Sequence, residues 1–225
     1  ILLFILTYWR VMTQTEKFRK LINPKTDSYY KLKQYVLGYE ICWHYSNYST
    51  PRNKKSDNII KQYRDGKIYE FIDDEYQNIS FFGHVVLKRP YEIDYNQNEC
   101  NLPNDNDEMF PAIVSKSYEL YVKPFLKDLI ISNYESKLFQ CKIPLRINFN
   151  LSFPCGDKPS MPHVDHNFPH NNMLIYFTDT GGDTIIGGDR FTPEEDDIIV
   201  FNSDWLHCFK PPKNGRRIVM VTTFI

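Results

Sequence analysis

At 225 residues the chain can bury one sizeable core or two small ones. Hydrophobic residues make up 42% and charged residues 24%, which excludes a disordered chain, and a formal net charge of -1 excludes a global cationic field for nucleic acid. Aromatic residues reach 16%, suiting a β-rich core in which rings pack on pleated surfaces.

In chain order, Ile1 to Trp9 ("ILLFILTYW") is apolar but too short to cross a bilayer, and no Met or basic stretch precedes it. It is expected to be an artefact upstream of Met12 or a truncated anchor, without stable membrane insertion. Residues 14 to 50 are expected to be mostly helical, around "EKFRKLI" and "KLKQYVLGYEICWHY", with His44 packed beside a helix. Residues 51 to 66 read as polar loop, and the basic run Arg52 to Arg64 as a solvated loop and helix face. "GKIYEFI" and "FFGHVVLKRP" have the composition of strands, the second carrying His84. Residues 91 to 111, rich in Asn, Asp, Glu and Pro, read as an exposed connection. Tyr118, Val122, Phe125, Leu126, Leu129 and Ile130 recur at helical spacing and predict one amphipathic helix over Ser117 to Leu138.

Strands dominate thereafter. In "LRINFNLSF", Leu145, Ile147, Phe149 and Leu151 share one face, and Arg146, Asn148, Asn150 and Ser152 the other. "MLIYFTD", "DTIIGG", "DDIIVFNSD" and "RRIVMVTTFI" follow, separated by turn residues. The expectation is a mostly β fold with supporting helices (α+β): an eight-stranded antiparallel sandwich or jelly roll over 140 to 225, with 1 to 139 as its helical and strand support in a single domain of 1 to 225.

Three of the six histidines fall in "MPHVDHNFPHNNMLIYF", residues 161 to 177. On a strand His163 and Asp165 point the same way, so both can meet one ion, while His166 points oppositely and His170 lies in a loop beyond Pro169. His207, at the end of "DDIIVFNSDWLH", is the candidate third ligand. Two His and one carboxylate suit non-haem Fe(II) with open positions. Arg217 lies ten residues beyond His207 and shares a strand face with Val219 and Val221. Among apolar residues it needs an anionic partner. Arg216, Ile218 and Met220 take the opposite face.

These residues resemble a family. "HVD" at 163 to 165, the distal His207 and Arg217 in "NGRRIV" look like the signature of the 2-oxoglutarate- and Fe(II)-dependent dioxygenases, especially the prolyl-4-hydroxylase-like group with its phage and microbial members. "LIYFTDTGGDT" and "PEEDDIIVFNSDWLHCFKPP" are similar to that group's surroundings of the two ligand sites, and the likeness covers roughly 140 to 225. It implies a double-stranded β-helix, Fe(II) on His163, Asp165 and His207, and 2-oxoglutarate chelating the metal with its far carboxylate on Arg217. It implies O2 as co-substrate, ascorbate as a candidate accessory, and hydroxylation of an unidentified peptidyl, prolyl or small-molecule substrate with release of succinate and CO2. Where many relatives carry Ser two residues after the Arg, this chain has Val219. Tyr176, Asn148 or Asn150 is the candidate substitute, and His166 and His170 are candidates for the substrate entrance.

The five cysteines, an odd number without CxxC, argue against a disulfide framework and for a reducing, cytoplasmic compartment. Two other readings stay open: a zinc protein using His163, His166, His170, Cys155 and Cys208, and a catalytically silent jelly-roll module that keeps the metal.

Overall fold

The computed structural model describes residues 16–47, 59–64, 67–72, 75–88, 111–134, 143–166 and 168–225. The apolar start, the 91 to 110 connection, Cys100 and Cys141 lie outside the described residues. No helix among those described is long and apolar enough to cross a membrane.

The fold is mostly β. An eight-stranded antiparallel sheet runs in the order β1 (Arg19–Lys20), β11 (Ile198–Asn202), β8 (Asn171–Tyr176), β13 (Arg217–Phe224), β7 (Pro144–Ser152), β5 (Phe81–Lys88), β2 (His44–Ser46), with β6 (Ala112–Ile113) also on β5. A smaller sheet has the order β10 (Asp189–Phe191), β9 (Thr184–Ile186), β12 (His207–Phe209). A hairpin of β3 (Ile59–Arg64) and β4 (Lys67–Ile72) stands apart. The stretch from 140 onward therefore supplies seven strands, β7 to β13, and the large sheet is completed by earlier ones.

The alternation in β7 separates the two faces. Ile147, Phe149 and Leu151 join Met173, Ile175, Ile198, Val200, Ile218 and Met220 in a core against the helices. α1 (Asp27–Leu37) buries Tyr29, Leu32 and Val36 there, and α2 (Lys123–Asn133) buries Phe125, Leu126 and Leu129. Asp128 of α2 ties the helices together by accepting from Thr26 Oγ1 at 2.8 Å and Ser28 Oγ at 2.6 Å. The opposite face of the large sheet meets the small sheet through Leu174, Tyr176, Ile199, Phe201, Val219 and Ile186. Polar residues share this inner face: Arg146, Asn148, Asn150 and Ser152 on β7, and Arg217 and Thr223 on β13.

The first half departs from the helical expectation. Between 16 and 47 only Asp27–Leu37 is helical, and His44 sits exposed on an edge strand. The helix ends at Gly38, whose backbone turns to an extended ψ of -162° while its N–H donates to Tyr35 O; a Cβ in that conformation would meet Gln34 O at 2.8 Å, which glycine avoids. Part of the presumed loop at 51 to 66 is strand β3, because Ile59 to Arg64 pairs residue for residue with β4. The 118 to 133 helix opens with a π turn, Tyr118–Val122. Pro124 follows at once and has no N–H to return to Leu120, so the wider turn loses nothing there.

Candidate metal centre

His163 is bridged to His207 across an antiparallel pair. His163 N donates to His207 O at 3.0 Å and His207 N to His163 O at 2.9 Å. The bridge brings the two rings together, with centroids 4.4 Å apart and planes tilted by 50°. β11 ends at Asn202, and a turn carries the chain into β12, which His207 opens. Asp165 lies two residues past the bridge and points back toward His207, its Oδ2 3.4 Å from His207 Nε2. One donor atom from each of His163, Asp165 and His207 lies within 4.8 Å of the others, and among the described residues this is the group that converges as a metal site. Cys155 and Cys208 do not join it; both are free thiols, Cys155 exposed and Cys208 buried.

The protonation states suit a metal, which needs deprotonated ligands. Burial alone would raise the Asp165 carboxyl, but the His207 contact and the nearby Arg146 charge hold it well below the usual carboxylate range. Arg146 Nη1 donates to Asp165 Oδ1 at 2.7 Å. Burial, with His207 adding to it, lowers His163 to about 4, leaving a neutral imidazole at physiological pH. Two imidazoles and one carboxylate converging in this way suit a non-haem divalent iron site.

Arg217 opens β13 opposite Ser152 and is 6% exposed. Its Nη2 donates to Thr184 Oγ1 at 3.0 Å, and the same hydroxyl pairs with Tyr176 Oη at 2.7 Å. The guanidinium lies over two rings, 5.4 Å from Tyr176 and 4.9 Å from Phe209. Among the described residues no carboxylate pairs with it, and Nε has no hydrogen-bond partner. Burial lowers its pKa but leaves an arginine cationic. Ser152 Oγ and Asn150 Oδ1, on the same sheet face, are also buried without partners. The Tyr176 hydroxyl, pushed up to about 12 by burial, remains a neutral donor.

The other predicted residues have definite places. Tyr176 is at the Arg217 end of the inner face. Asn148 is not: it pairs in register with Val221, four residues along β13, and packs against Arg146. With the amide oxygen turned to the guanidinium, Asn148 accepts from Arg146 Nε at 3.0 Å and Nη2 at 2.5 Å. Arg216 leaves the other face, and its Nη2 donates to Leu37 O at 3.0 Å. His166 and His170 are buried beside the centre, not exposed. His166 Nε2 meets Thr223 Oγ1 at 2.8 Å and His170 Nδ1 meets Phe168 O at 2.7 Å. Sequence reasoning missed Thr184 and Arg146. Thr184 shares its strand face with buried Ile186 in "DTII", and Arg146 shares the polar face of β7, so alternation carries a signal for both.

No family model matches the chain, and no curated protein does. Solved structures do. An oxidoreductase of the 2OG-Fe(II) oxygenase family from Burkholderia pseudomallei aligns over 74% of this chain and 71% of its own, at 12% identity and a TM-score of 0.48. An RmlC-like cupin protein from Desulfovibrio desulfuricans matches 35% of this chain and 70% of its own, at 14% identity and a TM-score of 0.29. Salicylate 1,2-dioxygenase from Pseudaminobacter salicylatoxidans matches 35% of this chain and 20% of its own, at 12% identity and a TM-score of 0.26. At such distances, what this chain does has to be read from its own residues.

Proposed function

We propose that the protein is an Fe(II)- and 2-oxoglutarate-dependent dioxygenase on a double-stranded β-helix of the prolyl-4-hydroxylase-like kind. It would hydroxylate a peptidyl or prolyl side chain or a small molecule, releasing succinate and CO2. The observation that carries this reading is a buried guanidinium, with no carboxylate partner among the described residues, linked through β12 to a two-His, one-carboxylate cluster. His207 and Phe209 share a face of β12, and Phe209 packs on the Arg217 guanidinium. Two residues of strand separate them by roughly 7 Å. That is the scale of a 2-oxoglutarate chain reaching from a metal on His207 to a carboxylate on Arg217.

His163, Asp165 and His207 would hold Fe(II), whose chemistry when bound is the activation of O2 for C–H oxidation. Arg217 would pair with the distal carboxylate of 2-oxoglutarate through a planar fork, with the Thr184 and Tyr176 hydroxyls fixing that fork. Ser152 lies opposite Arg217 on β7, and its Oγ would donate to the same carboxylate in place of the serine that many relatives carry at the position of Val219. Leu174, Ile199, Val219 and Ile186 pack into the apolar cluster between the sheets on this face, which would keep water from the bound ends.

Succinate release from 2-oxoglutarate by purified protein, with Fe(II) and with ascorbate to keep it reduced, tests the reading. Prolyl peptides and free amino acids supply the substrate arms. Iron-dependent release supports it. Iron and 2-oxoglutarate binding without release indicates the silent module, and tight Zn(II) with no 2-oxoglutarate binding indicates the zinc protein.

A further inference from the structure

Asp165 is held from outside the cluster. Its Oδ1 accepts from Arg146 Nη1 at 2.7 Å, while Oδ2 faces His207 Nε2 at 3.4 Å. Arg146 is itself braced: Asn148, two residues on along the same face, accepts from its Nε and Nη2. Its ladder neighbour on β13, Thr223, is engaged with His166. The guanidinium is therefore clamped between its own strand and the carboxylate, and the plane of that carboxylate is set by β7.

We propose that Arg146, braced by Asn148, keeps Asp165 a one-atom ligand by occupying Oδ1, so that only Oδ2 is offered to the ion. The inference rests on the metal reading of the triad. It assigns Asn148 to support of the metal ligand rather than to the co-substrate. The consequence is a count of positions. Two imidazoles and one carboxylate oxygen leave three of six positions open, enough for a two-atom chelate and O2. A carboxylate bound through both oxygens leaves two, and chelate and O2 then compete.

Mn(II) titration of the metal-free protein, read by water-proton relaxation, counts exchangeable waters on the bound ion and needs no turnover. Wild type should bind one Mn(II) with the relaxivity of three waters. Arg146→Met frees Oδ1 to take a position, so relaxivity per bound Mn(II) should fall by about a third. Arg146→Lys, which keeps a donor and the charge, should restore most of it. Asn148→Ala loosens the brace and should move relaxivity in the same direction by less, which covers the case that Arg146→Met does not fold. Unchanged relaxivity in both Arg146→Met and Asn148→Ala overturns the inference while leaving the metal site intact. Failure of wild type to bind Mn(II) at all overturns the metal reading beneath it.

Discussion

Phe209 lies 4.9 Å from the Arg217 guanidinium, on the strand whose first residue, His207, converges with His163 and Asp165. The three-residue strand thus couples two sites that the chain encodes ten residues apart. A side chain two positions from His207 forms the bed of the cation, so the spacing between the two groups is fixed by strand rise rather than by loop length.

Loss of Arg217 should separate the two sites experimentally. Arg217→Ala should keep divalent metal, because the ligands lie on other segments. It should raise the apparent dissociation constant for 2-oxoglutarate about 30- to 1000-fold, the loss of one charge-assisted bidentate contact of roughly 2–4 kcal/mol. Arg217→Lys should recover part, since an ammonium cannot make the planar fork. Arg216→Ala removes only a contact to Leu37 O on the helix side and should bind as wild type. Anaerobic titration of the iron-loaded variants, followed by the metal-to-ligand charge-transfer band, reads all three. Equal affinity in Arg217→Ala and wild type would make Arg217 structural.

These residues were legible where one face of a strand is buried against something different from the other. β7 and β13 meet helices on one side and the small sheet on the other, so alternation assigned Arg217 and Arg216 to opposite faces. His163 and Asp165 do converge, but the expected strand is not there: the segment is irregular, with a single bridge at His163, and a bend brings Asp165 to the cluster. The edges were illegible. β1 and β2 have two and three residues, too few for any period to register. His207 read as the end of β11 because nothing in "NSDWL" distinguishes a strand end from a sharp turn. The support of Asp165 by Arg146 spans 19 residues and a change of direction, which one-dimensional spacing does not encode.

Gly182 should be intolerant of a side chain. Its φ is +88°, and a Cβ there would lie 2.7 Å from Lys210 O and 3.1 Å from Arg217 Cδ. Gly182→Ala should cost about 1–3 kcal/mol in denaturant unfolding, from the backbone conformation and the contact with carbonyl oxygen. It should also weaken 2-oxoglutarate binding, because relief of the second contact moves the arginine. A variant with reduced stability but unchanged 2-oxoglutarate affinity would show that Arg217 does not yield.

The three ligands should behave differently from their histidine neighbours. His163→Ala, Asp165→Ala and His207→Ala each leave two donors and should abolish stoichiometric Fe(II) binding and iron-dependent activity. His166→Ala removes a hydrogen bond to Thr223 and a ring stacked 4.9 Å from Phe168. It should cost about 1–3 kcal/mol of stability yet retain metal. Equilibrium dialysis with metal analysis distinguishes the sets, and loss of metal in His166→Ala at full folding would put His166 in the site.

Acid should destabilise the metal-free protein through His163 before it reaches the carboxylates. His163 is lowered to about 4 in the folded chain, against about 6.5 when unfolded. Between those values the unfolded chain binds a proton that the folded chain refuses. Stability therefore rises with pH across the window and falls on acidification. Going from pH 6.5 to pH 4 should cost up to about 3 kcal/mol at this one residue. Asp165 acts lower down: its folded pKa is depressed, so its contribution is present above the unfolded value and is lost as pH falls through the folded one. Urea midpoints of the metal-free protein from pH 7 to pH 4 read the slope, and His163→Gln should flatten it in this range. Saturating divalent metal should raise stability above pH 6, by about 2.7 kcal/mol at a hundredfold excess over the dissociation constant. That increment should shrink toward pH 4 as protons compete for the imidazole. If the midpoints of wild type and His163→Gln fall in parallel, the acid sensitivity originates elsewhere in the chain, and the imidazole is not held neutral by its burial against His207.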